Sequence, residues 1–260
     1  MSCKRKESAV IISQERMGRD IYSMWLQTEE IGSLAVPGQF ISMYTGDESK
    51  LLPRPISLCE INREKRQLRV VYRVTGKGTG TEHFSRQQPG ALLGILGPLG
   101  NGFPLEAGAG KRVCLIGGGI GVPPMLELAK QLDAEKQLVM GYRDELFLTE
   151  ELRANGELYI ATENGSAGTK GTVMDAIGEN ELAPEVIYAC GPAPMLRAVK
   201  QYAEDQKILC YVSMEERMAC GIGACLACVC QSEEIDGHSQ VRNKRVCKDG
   251  PVFLSTEVEI

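Results

Sequence analysis

Five of the ten cysteines, Cys220, Cys225, Cys228, Cys230 and Cys247, fall in the last 41 residues of a 260-residue chain. No other feature of the sequence restricts the fold as much. Three of them stand as Cys220-x4-Cys225-x2-Cys228, and Cys247 follows after eighteen residues. C-x4-C-x2-C…C is the plant-type [2Fe–2S] spacing. A two-iron cluster needs three thiolates from one tight loop and a fourth that can arrive from a separate segment. Gly221 and Gly223 let such a loop curl, and Ala219, Ala224 and Ala227 leave its approach unhindered. Zinc is the rival, but structural zinc favours two C-x2-C-like knuckles and this tail has one. Cys230 falls outside the spacing and reads as a non-ligand. Arg242, Lys244, Arg245 and Lys248 bracket Cys247, either offsetting an anionic cluster and rimming a docking face or simply forming a solvated loop. Cys3, Cys59, Cys114, Cys190 and Cys210 are scattered, mostly in apolar stretches, as small buried hydrophobes are.

Composition narrows the class. Hydrophobic residues make up 43% and charged ones 24%, ordinary values for a globular chain, and the length suggests about two domains at roughly 150 residues each. Lys+Arg 29 against Asp+Glu 34 gives a net charge of −5 without a basic tract, so nucleic acid is not an expected partner. No apolar run approaches the ~20 residues that cross a bilayer. The basic start, Met1-Ser2-Cys3-Lys4-Arg5-Lys6, has no apolar segment behind it, so neither a signal peptide nor membrane insertion is expected. The reading is a soluble cytoplasmic protein, in which a cysteine cluster is a metal site rather than a disulfide framework.

The rhythm of the chain changes once. Short, partly alternating runs at 8–13, 22–26, 39–44, 54–59, 68–74 and 91–96, separated by turns such as Pro37-Gly38 and Gly76-Lys77-Gly78, predict a small antiparallel β-barrel or sandwich. Beyond Ala107-Gly108-Ala109-Gly110, apolar strands at 112–116, 138–142, 158–161, 186–190 and 208–212 alternate with helical patterns at 123–132, 145–154, 173–178 and 193–205. That alternation predicts a parallel sheet covered on both faces. The expected domains are residues 1–107, 108–213 and 214–260.

Gly117-Gly118-Gly119-Ile120-Gly121 lies between a predicted strand and helix, where backbone N–H groups and a helix N-terminus can hold pyrophosphate. It is not a full G-x-G-x-x-G, because Val122 follows, so a tight structural turn is the competing reading. Arg54-Pro55-Ile56-Ser57 could meet a phosphate or a flavin ring, or form a local surface pair. Gly76–Thr81 is an anion cradle or an ordinary turn. His83 and His238 are the only histidines, and no hydrolase triad, carboxylate pair or Walker motif is present. A chain with an electron-carrier motif and a dinucleotide loop, but no evident base, is suited to moving electrons.

Taken in order, Arg54-Pro55-Ile56-Ser57, the 117–121 glycine run and Cys190-Gly191-Pro192 resemble the ferredoxin reductase superfamily, whose barrel binds flavin and whose α/β domain binds a nicotinamide nucleotide. Met218–Cys228 and Arg245–Phe253 are similar to the electron transfer subunits of NAD-dependent dihydroorotate dehydrogenases. The resemblance covers essentially the whole chain. It implies an N-terminal FAD-binding barrel, a central NAD-binding α/β domain and a small C-terminal [2Fe–2S] domain. It further implies that Arg54, Pro55, Ile56, Ser57, Val71, Tyr72, Arg73, Gly78 and Thr79 hold FAD, and that Cys220, Cys225, Cys228 and Cys247 are the cluster ligands. Gly117, Gly118, Gly119, Gly121, Cys190, Gly191 and Pro192 would face NAD. The superfamily's usual R-x-Y-S has Ile56 in place of its aromatic, leaving Tyr72 as a candidate to cover the flavin ring. The segment at 235–240 extends the gap before Cys247.

The cofactor set imposes an order. A nicotinamide exchanges a hydride, the cluster takes single electrons, and flavin does both, so flavin belongs between them. The implied path runs from dihydroorotate through FMN on a separate catalytic subunit, then the cluster and FAD, to NAD⁺. That places the chain in pyrimidine synthesis, as half of a heterotetramer of two of each subunit. A ferredoxin:NADP or sulfide-linked oxidoreductase subunit is the nearest alternative, and Arg143 could recognise the 2′-phosphate such a protein would need.

Overall fold

The computed structural model describes residues 4–235 and 240–260, so Cys3, His238 and most of the extension before Cys247 lie outside the described residues. Six strands, β1 (Arg5–Arg16), β2 (Ile21–Gln27), β3 (Phe40–Tyr44), β4 (Arg54–Asn62), β5 (Gln67–Arg73) and β6 (Leu92–Leu99), close an antiparallel barrel in the order β1-β2-β5-β4-β3-β6. Pairing of β1 with both β2 and β6 leaves no open sheet edge. Inward residues from every strand, among them Met24, Ile41, Leu58, Val70 and Ile95, are fully buried in one core. Two short helices, α1 (Ile31–Leu34) and α2 (Gly80–Ser85), are set into the connections.

After a short helix, α3 (Leu105–Gly108), the chain alternates as expected: β7 (Arg112–Gly118), α4 (Pro123–Gln131), β8 (Glu135–Tyr142), α5 (Thr149–Arg153), β9 (Glu157–Thr162), β10 (Thr169–Lys170), α6 (Val173–Glu179), β11 (Val186–Cys190), α7 (Ala193–Gln206) and β12 (Leu209–Ser213). These strands are parallel, and the five residues of β11 are all buried, as befits a strand covered on both faces. The tail adds a small hairpin, β13 (Val229–Gln231) with β14 (Asn243–Arg245), and β15 (Val252–Leu254). The sheet order is β10-β9-β8-β7-β11-β12-β15, in which β15 runs antiparallel to β12. The tail therefore completes the central sheet, which its three-residue apolar run did not announce.

The predicted helix at 145–154 is confined to α5. Leu148 takes a left-handed φ of 61° at its N-cap, and the preceding residues turn to place Glu145 against Gly18 and Arg19 in the β1–β2 turn. Barrel and sheet are joined through α4, whose Glu127 accepts the Ile61 N–H at 2.8 Å and whose Lys130 pairs with Glu60 on β4. Buried Arg69 on β5 completes this ion network, 2.6 Å from Glu60.

Candidate redox site

The parallel register sets the ends of three strands side by side. Gly117 on β7 faces Cys190 on β11, and Cys190 faces Ser213 on β12. The glycine run, Cys190-Gly191-Pro192 and the segment leading to the cysteine loop thus meet at the carboxyl edge of the sheet. In sheet order β8 lies on one side of β7 and β11 on the other, so the chain reverses direction of growth here. Ligands of open α/β sheets bind at such a switch point.

Against this edge lies a cavity of about 330 Å³. Arg54, Pro55, Ile56 and Ser57 from β4 and Val71, Tyr72 and Arg73 from β5 line it, so seven of the expected flavin residues share one wall. The sheet contributes Ile120 and Ser213, and the tail contributes Met214, Glu215, Glu216, Met218 and Pro251. Apolar walls with two arginines suit a planar ring carrying an anionic chain. Gly80 is shaped for the arginine, since a Cβ there would lie 3.0 Å from Arg54 Nε. Tyr72 is committed to the barrel: it is 1% exposed, stacks on Tyr22 and donates its hydroxyl to Gln14 Oε1.

Gly78 and Thr79 lie beyond the cavity in the loop before α2. Gly78 has φ +74° with open space where a Cβ would stand, and its N–H donates to Glu82 Oε2 at 2.6 Å. Thr79 caps α2 by accepting the Glu82 N–H. Thr79-x-x-Glu82 is a capping signature, so α2 was legible in a stretch read only as cradle or turn. Thr79→Ala is expected to cost ~1 kcal/mol of stability, measured by thermal unfolding.

The glycine run packs closely. A Cβ on Gly117 would lie 2.7 Å from Met140 Sδ, on Gly118 2.5 Å from Met195 Sδ, and on Gly121 2.3 Å from the Cys190 carbonyl oxygen. Gly119 differs, with φ +55° and open space beside it. It lines a second cavity of about 250 Å³ with Arg19, Arg73, Arg143 and Asp144. Arg19 in the β1–β2 turn gave no sequence signal for this role. Cys190 is buried, and burial pushes its thiol up to about 12, with Glu215 adding to the shift and Ser213 opposing it. Gly191 and Pro192 line a third cavity, of about 490 Å³.

The cysteine loop turns through left-handed residues Gly221, Gly223 and Leu226, at φ 69°, 85° and 59°. Its cysteines fall into two adjacent pairs, the Cys225 N–H donating to the Cys220 sulfur and the Cys247 N–H to the Cys228 sulfur, each at 3.4 Å. Two such pairs match a donor set for two irons, two ligands to each. Backbone N–H groups already point at the sulfurs: Gly223 to Cys247 at 3.1 Å, Ala224 to Cys220 at 3.3 Å, and Cys247 to Cys228 at 3.4 Å. Burial alone would raise the Cys220 thiol, yet the N–H groups of Ile222, Cys225 and Ala224 and the Cys225 thiol bring it down to about 6. Burial and the neighbouring Cys228 push Cys247 up to about 12. Cys225 is the exposed corner, flanked by exposed Ile222, Leu226 and Val229. Cys230 lies in the hairpin and donates its thiol to the Lys244 carbonyl. Of the basic residues around Cys247, Lys244 pairs with Glu257 and Arg245 holds Asp249 through two contacts, while the Lys248 stem packs on Gly223.

The sequence profile of the iron–sulfur cluster binding domain of dihydroorotate dehydrogenase B matches residues 215–259. The chain is 43% identical over 261 residues to a Geobacillus sp. (strain WCH70) protein named dihydroorotate dehydrogenase B (NAD(+)), electron transfer subunit, covering 98% of each. A Bacillus caldolyticus protein of the same name is 44% identical over 260 residues, covering 97% of this chain and 98% of its own. Among solved structures, the NADH-dependent reduced ferredoxin-NADP oxidoreductase studied for flavin-based electron bifurcation superposes with a TM-score of 0.84 at 25% identity, covering 96% of this chain and 89% of that one. A Neisseria gonorrhoeae ferredoxin NADP+ reductase with bound FAD and NADP shares the fold at a TM-score of 0.65 and 18% identity, over 77% and 91% of the two chains.

Proposed function

The chain belongs to the family of electron transfer subunits of dihydroorotate dehydrogenase B, and from that premise we propose how its residues divide the work. Its cofactors are FAD, a [2Fe–2S] cluster and NAD, and it serves the dehydrogenase as an oxidoreductase subunit in pyrimidine synthesis. Bound flavin supplies the exchange between hydride and single electrons that neither of the other two can perform alone.

In this reading residues 1–107 carry the flavin, 108–213 the nucleotide and 214–260 the cluster. Arg54 and Arg73 offset negative charge at the rim of the cavity, and Ile56, Val71 and Ile120 exclude water from its wall. Gly78 and Thr79 present the loop for the flavin pyrophosphate. Gly119 presents its backbone to the nucleotide, and Gly117, Gly118 and Gly121 let the strand ends close beneath it. Cys190, Gly191 and Pro192 bound the nicotinamide side. Cys220 and Cys225 would hold one iron, and Cys228 and Cys247 the other.

One observation carries the reading. Met218 and Pro251, two and four residues from Cys220 and Cys247, line the same cavity as Arg54–Ser57, which supports adjoining flavin and cluster sites.

A subunit of this kind works with a catalytic partner. Our finer reading is that the partner carries FMN, that two of each subunit assemble, and that exposed Ile222, Leu226 and Val229 around Cys225 form part of the docking face. No helix of the described chain is long and apolar enough to cross a membrane.

The isolated chain, reconstituted with FAD and cluster, is expected to oxidise NADH with an artificial acceptor and to leave dihydroorotate untouched. Robust dihydroorotate turnover by this chain alone would overturn the division of labour. Arg143 and Arg19 beside Gly119 make NADPH the informative comparison in the same assay, since a 2′-phosphate reader would prefer it.

A further inference from the structure

Between the end of β12 and Cys220 the chain crosses from the sheet edge to the cysteine loop, and Glu215 lies in that crossing. It lines both the 330 Å³ cavity and the 490 Å³ cavity that holds Gly191 and Pro192, so its side chain stands in the wall between them. Among the described residues no hydrogen-bond donor or cation pairs with it. The titratable side chains facing these two cavities are Arg54 from β4, Tyr72 and Arg73 from β5, Cys230 from β13, Glu216 beside it and Glu259 near the end of the chain. Cys190 at the end of β11 feels its charge. Neither arginine reaches it as an ion-pair partner.

We propose that Glu215 is a positioning residue that takes up a proton when negative charge enters the adjoining cavity, and so sets the pH dependence of the potential there. The proposal rests on the reading of that cavity as the flavin site. Each electron delivered brings one negative charge into the cavity, and a hydride, two electrons with one proton, also brings one. The carboxylate answers by taking a proton from hydronium, giving a carboxylic acid and water, and no bond to a cofactor forms or breaks. The proton returns to water when the charge leaves.

The environment favours this behaviour. Glu215 is exposed to water where it borders the two cavities, and the protein atoms beside it, with no compensating cation, raise its carboxyl above the usual carboxylate range. A negative charge arriving beside such a group favours its protonated form, and linkage makes the two events interdependent. Above the carboxyl's pKa, ionised Glu215 disfavours added electrons and holds the potential down. Below it, the neutral acid exerts no such effect.

The test is a redox titration of the flavin in the full chain loaded with FAD and cluster, across a pH series, for the wild type, Glu215→Gln and, as a remote charge control, exposed Glu179→Gln. Glu215→Gln is expected to shift the potential upward at alkaline pH, with the gap closing as pH falls through the carboxyl's pKa, whereas Glu179→Gln tracks the wild type. Should the amide unfold the loop, Glu215→Ala is titrated in its place with the same expectation. Flavin bound at full occupancy with coincident potentials at every pH overturns the proposal alone. A chain that holds no flavin, or holds it equally well after Ile56→Trp fills the cavity, overturns the cavity assignment and the proposal with it.

Discussion

Cys228→Ser is expected to strip the chain of iron and inorganic sulfide while leaving FAD bound. In complex with its catalytic partner, electron delivery from dihydroorotate to NAD⁺ should fall by more than about 100-fold, since even outer groups around metal sites cost roughly 10–100-fold when altered. Oxidation of NADH by an artificial acceptor should persist, because that path enters through the barrel and sheet. Cys228 is buried, and its sulfur accepts the Cys247 N–H at 3.4 Å. A hydroxyl in its place keeps the shape but loses the soft thiolate that iron–sulfur chemistry selects. Cys230→Ser is the matched comparison, two residues away yet turned into the hairpin toward the Lys244 carbonyl. It should retain full iron content. Iron and sulfide measured on both variants decide the ligand set, and a Cys228→Ser protein that keeps both irons would overturn it.

How much of this was legible in the sequence differs from element to element. The six barrel strands and the five principal parallel strands announce themselves because turn formers punctuate them and their apolar runs are short. The cysteine loop is legible for a chemical reason, since ligand spacing is set by the cluster rather than by the fold. Contacts made across long sequence distances were not readable. Pairing of β15 with β12 depends on the Met214 N–H reaching the Pro251 carbonyl and on Asn101 capturing Val252 through both its backbone groups, none of which leaves a local pattern. Helix α5 was overextended because the 145–154 stretch reads as helical, while the left-handed turn at Leu148 and the contact of Glu145 with the β1–β2 turn are tertiary choices. Glu215 went unnoticed for the same reason: it is one glutamate in a charged stretch, and the two cavities it borders are formed by segments far apart in sequence.

The glycine run shows a motif whose meaning divides once the structure is in hand, and substitution separates its two roles. Gly121→Ala is expected to destabilise the protein by about 1–3 kcal/mol, toward the upper end of what overpacking costs. The new methyl would sit 2.3 Å from the Cys190 carbonyl oxygen and 2.7 Å from Gly191 Cα, and both are backbone atoms that cannot rotate away. At ~3 kcal/mol the Tm of a chain of this size falls by roughly 6–12 °C. Relief requires β7 and β11 to part where Gly117, Cys190 and Ser213 align, so the strain falls on the sheet edge proposed to meet the nucleotide, flavin and cluster. Gly119→Ala meets no neighbour, and its penalty is confined to a side chain at φ +55°, about 1–2 kcal/mol. If the run only packed strand ends, Gly119→Ala would change stability and nothing else. Because Gly119 opens onto the cavity shared with Arg73 and Arg143, it should also weaken nucleotide binding in a folded protein, read as a raised KM for NADH at unchanged flavin content. Equal Tm values for the two variants would remove the packing role assigned to Gly121, and an unaltered KM in Gly119→Ala would move the nucleotide away from this turn.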